Sequence, residues 1–365
     1  MTDLFDYLFW RGDLPMEQIP FNQVDGMILS RFAYVPFEYF AEPLPRRFVS
    51  LREMAGPAEE DQALQTEQRW RLRDRELLGA LAESRRFGDL TAGFFDSKLD
   101  EVLQTQFAAI TVRLAEGLTA VIFRGTDNTV VGWKEDLDMS YRCPVPGQKM
   151  AEEYVRKVAE RVKGRLILCG HSKGGNLAVY AGAFCGRDVQ ERIDAVYNYD
   201  GPGFYGDVLQ TEGYRCIQDR IHTFVPQFSV VGMLLGHPEG HTVVHSDESG
   251  LGQHDVYSWE VHGPAFVCLE TVTGGSQFVA GTIREWTEDM SPEQFEQFVQ
   301  VIYSVLTDTS FHTMREMREN WFDTARSFVR SVTDMDETAR AAAMEALKML
   351  ARSAGREAME TLTGA

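Results

Sequence analysis

The pentapeptide Gly170-His171-Ser172-Lys173-Gly174 has the residue types and spacing of a serine nucleophile on a sharp turn. In a Gly-x-Ser-x-Gly turn the serine lies between a strand and a helix, and the backbone packs so closely that positions −2 and +2 must be small. The turn lifts the hydroxyl of Ser172 clear of the sheet edge. It also aims the next backbone N–H, that of Lys173, at a developing oxyanion. Five residues alone are weak support, because Gly and Ser are common. The flanks add to them: Arg165–Cys169 (RLILC) is a buried-strand pattern, and Gly175 opens a helical, small-residue run, GNLAVYAGA.

A serine nucleophile needs a base, an acid that orients the base, and a second oxyanion donor; where the serine stands on a strand–turn–helix elbow of this kind, acid and base follow it in the order Asp/Glu, His. Asp200 closes AVYNYD 28 residues past the serine, a spacing that fits one helix and one strand and returns it to the same sheet edge. It reads otherwise as a turn-forming Asp before Gly-Pro-Gly. Asp219 precedes its strand and belongs at the opposite edge, and Asp255 adjoins the candidate base. His254, in the Gly-rich stretch Gly250-Leu251-Gly252-Gln253, has the reach that a general base requires; His262 is the runner-up, while His222 begins a strand and His312 lies in the tail. Thr126 ends the buried run AVIFRGT upstream of the serine. It offers an N–H and a hydroxyl there, and the segment alone reads equally as a plain strand-end turn. His171 is expected to pack behind the turn, and Lys173 to be solvated or to face an anionic substrate group.

Other chemistries have less support. His237, His241 and His245 recur every four residues, but Gly236, Pro238 and Gly240 argue against the helix that would make them metal ligands. No Gly-rich phosphate loop opens a helix, so nucleotide binding has no support, and a serine triad calls for no metal or organic cofactor. With 36 Lys and Arg against 55 Asp and Glu, the net charge of −19 opposes nucleic-acid binding and docking on anionic membranes.

The elements that must position these groups are read from hydrophobic periodicity. Residues 106–114 and 118–126 read as two strands joined by a tight turn, 149–164 as a helix, and 165–170 as a strand. Residues 174–186 read as a helix, followed by strands over 195–200, 221–227 and 241–247. This strand–helix–strand order predicts a mainly parallel sheet with helices on its faces. Residues 57–86 read as a surface helix. The first 55 residues carry Phe5, Tyr7, Phe9, Trp10, Phe32, Tyr34, Phe37, Tyr39 and Phe40, and read more readily as packing onto the main core than as a lipid- or partner-binding lip. Beyond residue 275 the strand signal stops. Helices then take over, the first across 291–306 with Phe295, Phe298, Val299 and Ile302 on one face. Hydrophobic residues at 44% suffice for a full core. Five scattered cysteines without a CxxC fit a reducing compartment, and no run is long enough to span a membrane. With an acidic N-terminus that does not read as a signal peptide, the expected location is cytoplasmic.

Taken together, Phe-Arg-Gly-Thr (123–126), Trp133 with Asp136, and Gly-His-Ser-x-Gly-Gly (170–175) resemble the class 3, fungal-lipase-like α/β-hydrolases. GHSKGGNLA, YDGPGF, FVPQFSVVGMLL and QHDVYSW more closely resemble an uncharacterised bacterial family related to them. The resemblance covers about residues 20–265. It implies an α/β-hydrolase-like fold with a mainly parallel central sheet and flanking helices, here with a C-terminal helical extension. The expected division is a catalytic domain over 1–274 and the extension over 275–365. The resemblance also implies a serine esterase or lipase mechanism and assigns Thr126 an oxyanion donor. The acid departs from the pattern. Class 3 lipases carry it one strand later, where this chain has Thr223-Phe224-Val225-Pro226, whereas other α/β-hydrolases carry it after the earlier strand, as at Asp200. The expected substrate is a small-molecule or lipid ester. Acyl transfer, thioester or amide cleavage, and a non-catalytic scaffold remain open, as does oligomeric state.

Overall fold

The apolar, β-branched runs on either side of Gly117 pair as the sequence predicts, with Val112 opposite Ala120 and Ala115 opposite Leu118. In a computed structural model, which describes residues 1–37, 47–60, 72–100, 105–126, 139, 142–277 and 281, this hairpin joins β3 (Thr105–Ala115) to β4 (Leu118–Phe123). It sits inside a nine-stranded sheet. The other strands are β1 (Val49–Ser50), β2 (Thr91–Asp100), β5 (Arg165–His171), β6 (Ile193–Tyr199), β7 (Ile221–Pro226) and β8 (Thr242–Val244). The short strands Val261–His262 (β9) and Ala265–Phe266 (β10) form a separate pair, and Cys268–Leu269 (β11) closes the main sheet beside β8. The order is β1-β2-β3-β4-β5-β6-β7-β8-β11. From β4 to β8 every neighbour is parallel, whereas β1 to β4 and the β8–β11 pair are antiparallel. Strand β2 escaped the sequence reading. Its pairing with β3 breaks between Gly93 and Asp96, and this irregularity interrupts the alternation that marks a strand.

The parallel strands lie side by side in chain order, so right-handed crossovers put the connecting helices among the described residues on one face. That face carries a helix over Pro146–Arg161, one over Lys173–Phe184 and a shorter one over Glu212–Ile217, packed against one another. With Leu168, Val196 and Phe123 they form one hydrophobic core. The crossovers leave the opposite face bare. It is covered instead by α1 (Leu4–Arg11), α2 (Gln23–Phe32), α3 (Leu51–Glu60) and α4 (Leu72–Glu83), which share a second core with Ile122, Ile167, Cys169 and Tyr199. The aromatic N-terminal segment therefore does pack on the body. Tyr7, Phe32 and Phe37 are buried, while Phe9 stays 90% exposed. Burying each such ring contributes roughly 1.5–3 kcal/mol relative to leaving it in water.

The expected surface helix over 57–86 needs correction at its C-terminal half. Helix α4 buries Leu77, Leu78 and Leu81 and takes Asp74 inward to Arg31 through two hydrogen bonds of 2.6 and 2.7 Å. A second buried pair, Arg86 with Asp25, is completed by the Tyr7 hydroxyl and by the carbonyls of Leu14, Ile19 and Pro20. Buried charges cost several kcal/mol each to desolvate and persist only when fully partnered, so both pairs pin the N-terminal segment in one arrangement. Trp133, Asp136, Tyr39, Phe40, His312 and the predicted helices beyond 290 lie outside the described residues. The whole is an α/β-hydrolase-like architecture, a mainly parallel sheet with helices on both faces.

Candidate active site

Ser172 occupies the turn between β5 and the helix beginning at Lys173, with φ 57° and ψ −132°. A non-glycine residue there costs about 1–3 kcal/mol and persists only where its surroundings enforce it. They do: the Ser172 N–H donates to the Tyr199 carbonyl at 2.8 Å, and its carbonyl accepts from the Gly175 N–H at 2.9 Å. A Cβ on Gly170 would lie 2.2 Å from the Gly174 carbonyl, and one on Gly174 would lie 2.2 Å from the Phe123 oxygen. Positions −2 and +2 are thus glycine for steric reasons, as the motif predicts. Gly175 is similarly confined by Asn198.

Asp200 comes directly after β6, also at positive φ (51°), and is buried. Its carboxylate is fully engaged. Oδ1 accepts from the Ser229 hydroxyl at 2.5 Å and the Gly232 N–H at 3.1 Å, and Oδ2 lies 2.6 Å from Nδ1 of His254. A carboxylate only accepts, so Nδ1 carries the ring proton, which leaves Nε2 as the acceptor in the neutral imidazole. Ser229 and Gly232 escaped the sequence reading. Both lie in FVPQFSVVGMLL, one of the segments that carry the resemblance, just past the place where class 3 lipases hold their acid. Here that loop supplies donors to a carboxylate located one strand earlier.

His254 ends a 3-10 turn, Gly250–His254. Its neighbour Gln253 ties this loop down, accepting from the Phe228 N–H at 2.7 Å and donating to the Glu248 carbonyl at 2.8 Å. The ring of His254 lies 4.6 Å, centroid to centroid, from that of His171, the residue before the serine. The Ser172 hydroxyl itself makes no hydrogen bond among the described residues. The structure therefore joins Asp200 to His254 directly, and brings His254 to the elbow through His171.

Gly125, just past β4, runs beside the elbow: a Cβ there would approach Ser172 Cβ to 3.2 Å. Thr126 is the next residue and is half-buried. Lys173 differs from expectation. Its side chain is neither solvated nor turned to a substrate; it is buried, with Nζ donating to the Gln106 carbonyl at 2.8 Å and side-chain oxygen at 2.7 Å on β3. The Lys173–Phe184 helix packs on β4, β5 and β6 and is buried from Lys173 to Ala183, so this first position is buried with it.

The remaining candidates lie elsewhere. Asp219 lies before β7, at the opposite edge, and His222 stacks on Tyr197. His262 is exposed on β9. Nδ1 of His237 is 3.0 Å from Glu239, and His245 is 2.7 Å from Glu260. Among the described residues no group of three His, Cys, Asp or Glu is arranged to hold a metal ion. Burial pushes the thiols of Cys169 and Cys185 up to about 12 and that of Cys143 up to about 11, far from a reactive thiolate.

The family model for Mbeg1-like proteins matches residues 81–304. The chain belongs to the Mbeg1-like family. That agrees with the lipase-related family expected from the motifs, and the matched range of this Mbeg1-like chain contains Ser172, Asp200 and His254. Among solved structures it is similar to the crystal structure of M37 lipase, at 13% identity and a TM-score of 0.34, over 58% of this chain and 70% of that one. No curated protein matches it. Among the described residues no helix is long and apolar enough to cross a membrane.

Proposed function

We propose that this protein is a cytoplasmic serine hydrolase of carboxylic esters, lipid esters included, working through Ser172, His254 and Asp200. The observation that carries the reading is the Asp200 carboxylate, held by Ser229 and Gly232 and bonded to Nδ1 of His254, beside a serine on a strained, glycine-flanked turn. In this mechanism His254 Nε2 takes the Ser172 proton as Oγ bonds to the carbonyl carbon. Asp200 keeps the ring in the required tautomer and stabilises its cation. The backbone N–H groups of Lys173 and Thr126 receive the oxyanion. The intermediate collapses, the leaving alkoxide takes the proton from Nε2, and an acyl-serine remains. Water, deprotonated by His254, then attacks the acyl carbon and releases the acid and Ser172. Five scattered cysteines without a CxxC fit a reducing compartment.

The test is labelling with a fluorophosphonate, together with turnover of p-nitrophenyl esters from acetate to palmitate. Labelling and turnover that both vanish in Ser172→Ala support the reading. A folded wild-type protein that neither labels nor turns over is a scaffold.

A further inference from the structure

The N-terminal segment precedes the range matched by the family model, yet one of its side chains reaches the elbow. The Tyr34 hydroxyl lies 3.1 Å from Nδ1 of His171, and Nε2 of His171 lies 2.8 Å from the backbone carbonyl of His254. A carbonyl can only accept, so Nε2 of His171 carries a proton. In a neutral ring Nδ1 is then the acceptor, and the Tyr34 hydroxyl donates to it. The two adjacent histidines thus hold opposite tautomers, each fixed by its partners.

We propose that Tyr34 and His171 are positioning residues for His254, and that the N-terminal segment is part of the hydrolytic machinery rather than only a cover for the sheet. The inference rests on the hydrolase reading above. His254 sits on a loop with its side chain 31% exposed, while Asp200 grips only the far side of its ring. A loop left to itself samples many positions, and a base must be held to within about 0.5 Å to act. The His171 bond fixes the His254 main chain. The Tyr34 hydroxyl is itself confined, since it lies 2.1 Å from where a Cβ on Gly125 would be, and glycine is what lets it enter. Above the Tyr34 ring, at 4.3 Å, lies the guanidinium of Arg31. Arg31 is clamped by Asp74, which also accepts from the Tyr257 hydroxyl at 2.8 Å, three residues past His254. The N-terminal segment therefore grips the His254 loop at two points, through His171 and through Tyr257.

The test compares Tyr34→Phe, His171→Phe and His171→Gln in the full chain, with p-nitrophenyl butyrate as substrate and kcat and KM measured separately. Tyr34→Phe removes one oxygen, and His171→Phe keeps a ring without a donor; each should lower kcat by about 10- to 100-fold, the scale of a displaced catalytic group. In both, KM should stay within roughly twofold and Tm within ~3 °C. His171→Gln, whose amide can donate from near the Nε2 position, should recover most of the lost kcat. If Tyr34→Phe keeps wild-type kcat in a protein whose activity still depends on Ser172, the positioning role is overturned and the hydrolase reading stands. Equal losses in His171→Gln and His171→Phe likewise overturn it. Should His171→Phe not fold, Tyr34→Phe decides alone. A wild-type chain with neither turnover nor labelling removes both readings.

Discussion

Replacing Asp200 by Asn changes one atom and tests the arrangement sharply. The carboxylate accepts on both sides: from Ser229 and Gly232 at Oδ1, and from His254 Nδ1 at Oδ2. An amide has one accepting and one donating end. The Gly232 N–H belongs to the backbone and cannot turn away, so the amide oxygen must face it and the NH2 must face His254. Nδ1 of His254 then becomes an acceptor, the ring proton moves to Nε2, and the base can no longer take a proton from Ser172. The cost of a wrong tautomer in a triad is about 10⁴ in kcat, or ~5 kcal/mol of transition-state stabilisation. Folding should survive, because the Gly232 and Ser229 contacts can persist; the exchanged charge-assisted bond is worth about 1.5–3 kcal/mol. The assay is p-nitrophenyl butyrate hydrolysis alongside thermal melting. A cooperatively melting Asp200→Asn protein within about tenfold of wild-type kcat would refute the assignment of the acid.

Ser172→Ala should lower kcat by roughly 10⁴-fold or more and abolish fluorophosphonate labelling; retention of most esterase activity would place the nucleophile elsewhere. Gly174→Ala puts a Cβ 2.2 Å from the Phe123 oxygen, so the protein should express poorly or melt well below wild type, and an unchanged Tm would show that the elbow is not tightly packed. Lys173→Met removes two buried hydrogen bonds from a charged donor and should cost about 1.5–3 kcal/mol each, while leaving the relative rates on neutral and anionic esters alike; a selective loss on anionic esters would return Lys173 to the substrate. For Glu239, burial alone pushes the pKa up, but the hydrogen bond and charge of His237 and the Tyr214 hydroxyl outweigh it and leave the carboxyl below the ordinary glutamate value. A lowered folded pKa gives stability that is complete above the unfolded value and lost as pH falls through the folded one. The Tm gap between wild type and Glu239→Gln should therefore narrow in acid, and a gap that is constant with pH would contradict this.

Ser172 and Asp200 were legible as neighbours at one sheet edge because each follows a strand in chain order. Ser172 comes directly after β5 and Asp200 directly after β6, and these strands are adjacent in the sheet, so periodicity plus spacing located both residues. Ser229 and Gly232 lie in a segment that carries the resemblance, but their role was not legible, because a loop residue that donates to a carboxylate has no periodicity of its own. Lys173 was misread for a different reason: a charged residue at a helix start is usually solvated, whereas this helix is buried from its first residue and Lys173 bonds to Gln106 on β3. The inward turn of α4 was obscured in the same way. Its charged residues look like a surface, but Asp74 is buried by pairing with Arg31, 43 residues away, which no local window reveals.

The strand order explains why the N-terminal segment is drawn into the site. Open parallel sheets usually bind ligands where the strand order reverses and neighbouring connections part to opposite faces. From β4 to β8 this sheet has no such reversal, so the crossovers alone open no crevice at its carboxyl edge. Ser172 follows β5 at that edge and is buried, so its surroundings come from the loops beyond β7 and the helices on the bare face. The first wall is the 227–258 region, which supplies Ser229, Gly232 and His254. The second is the segment around α2, whose C-terminal end delivers Arg31 and Tyr34. A sheet wound on one side only must borrow its second face, and the borrowed segment comes within hydrogen-bonding reach of the residue beside the serine.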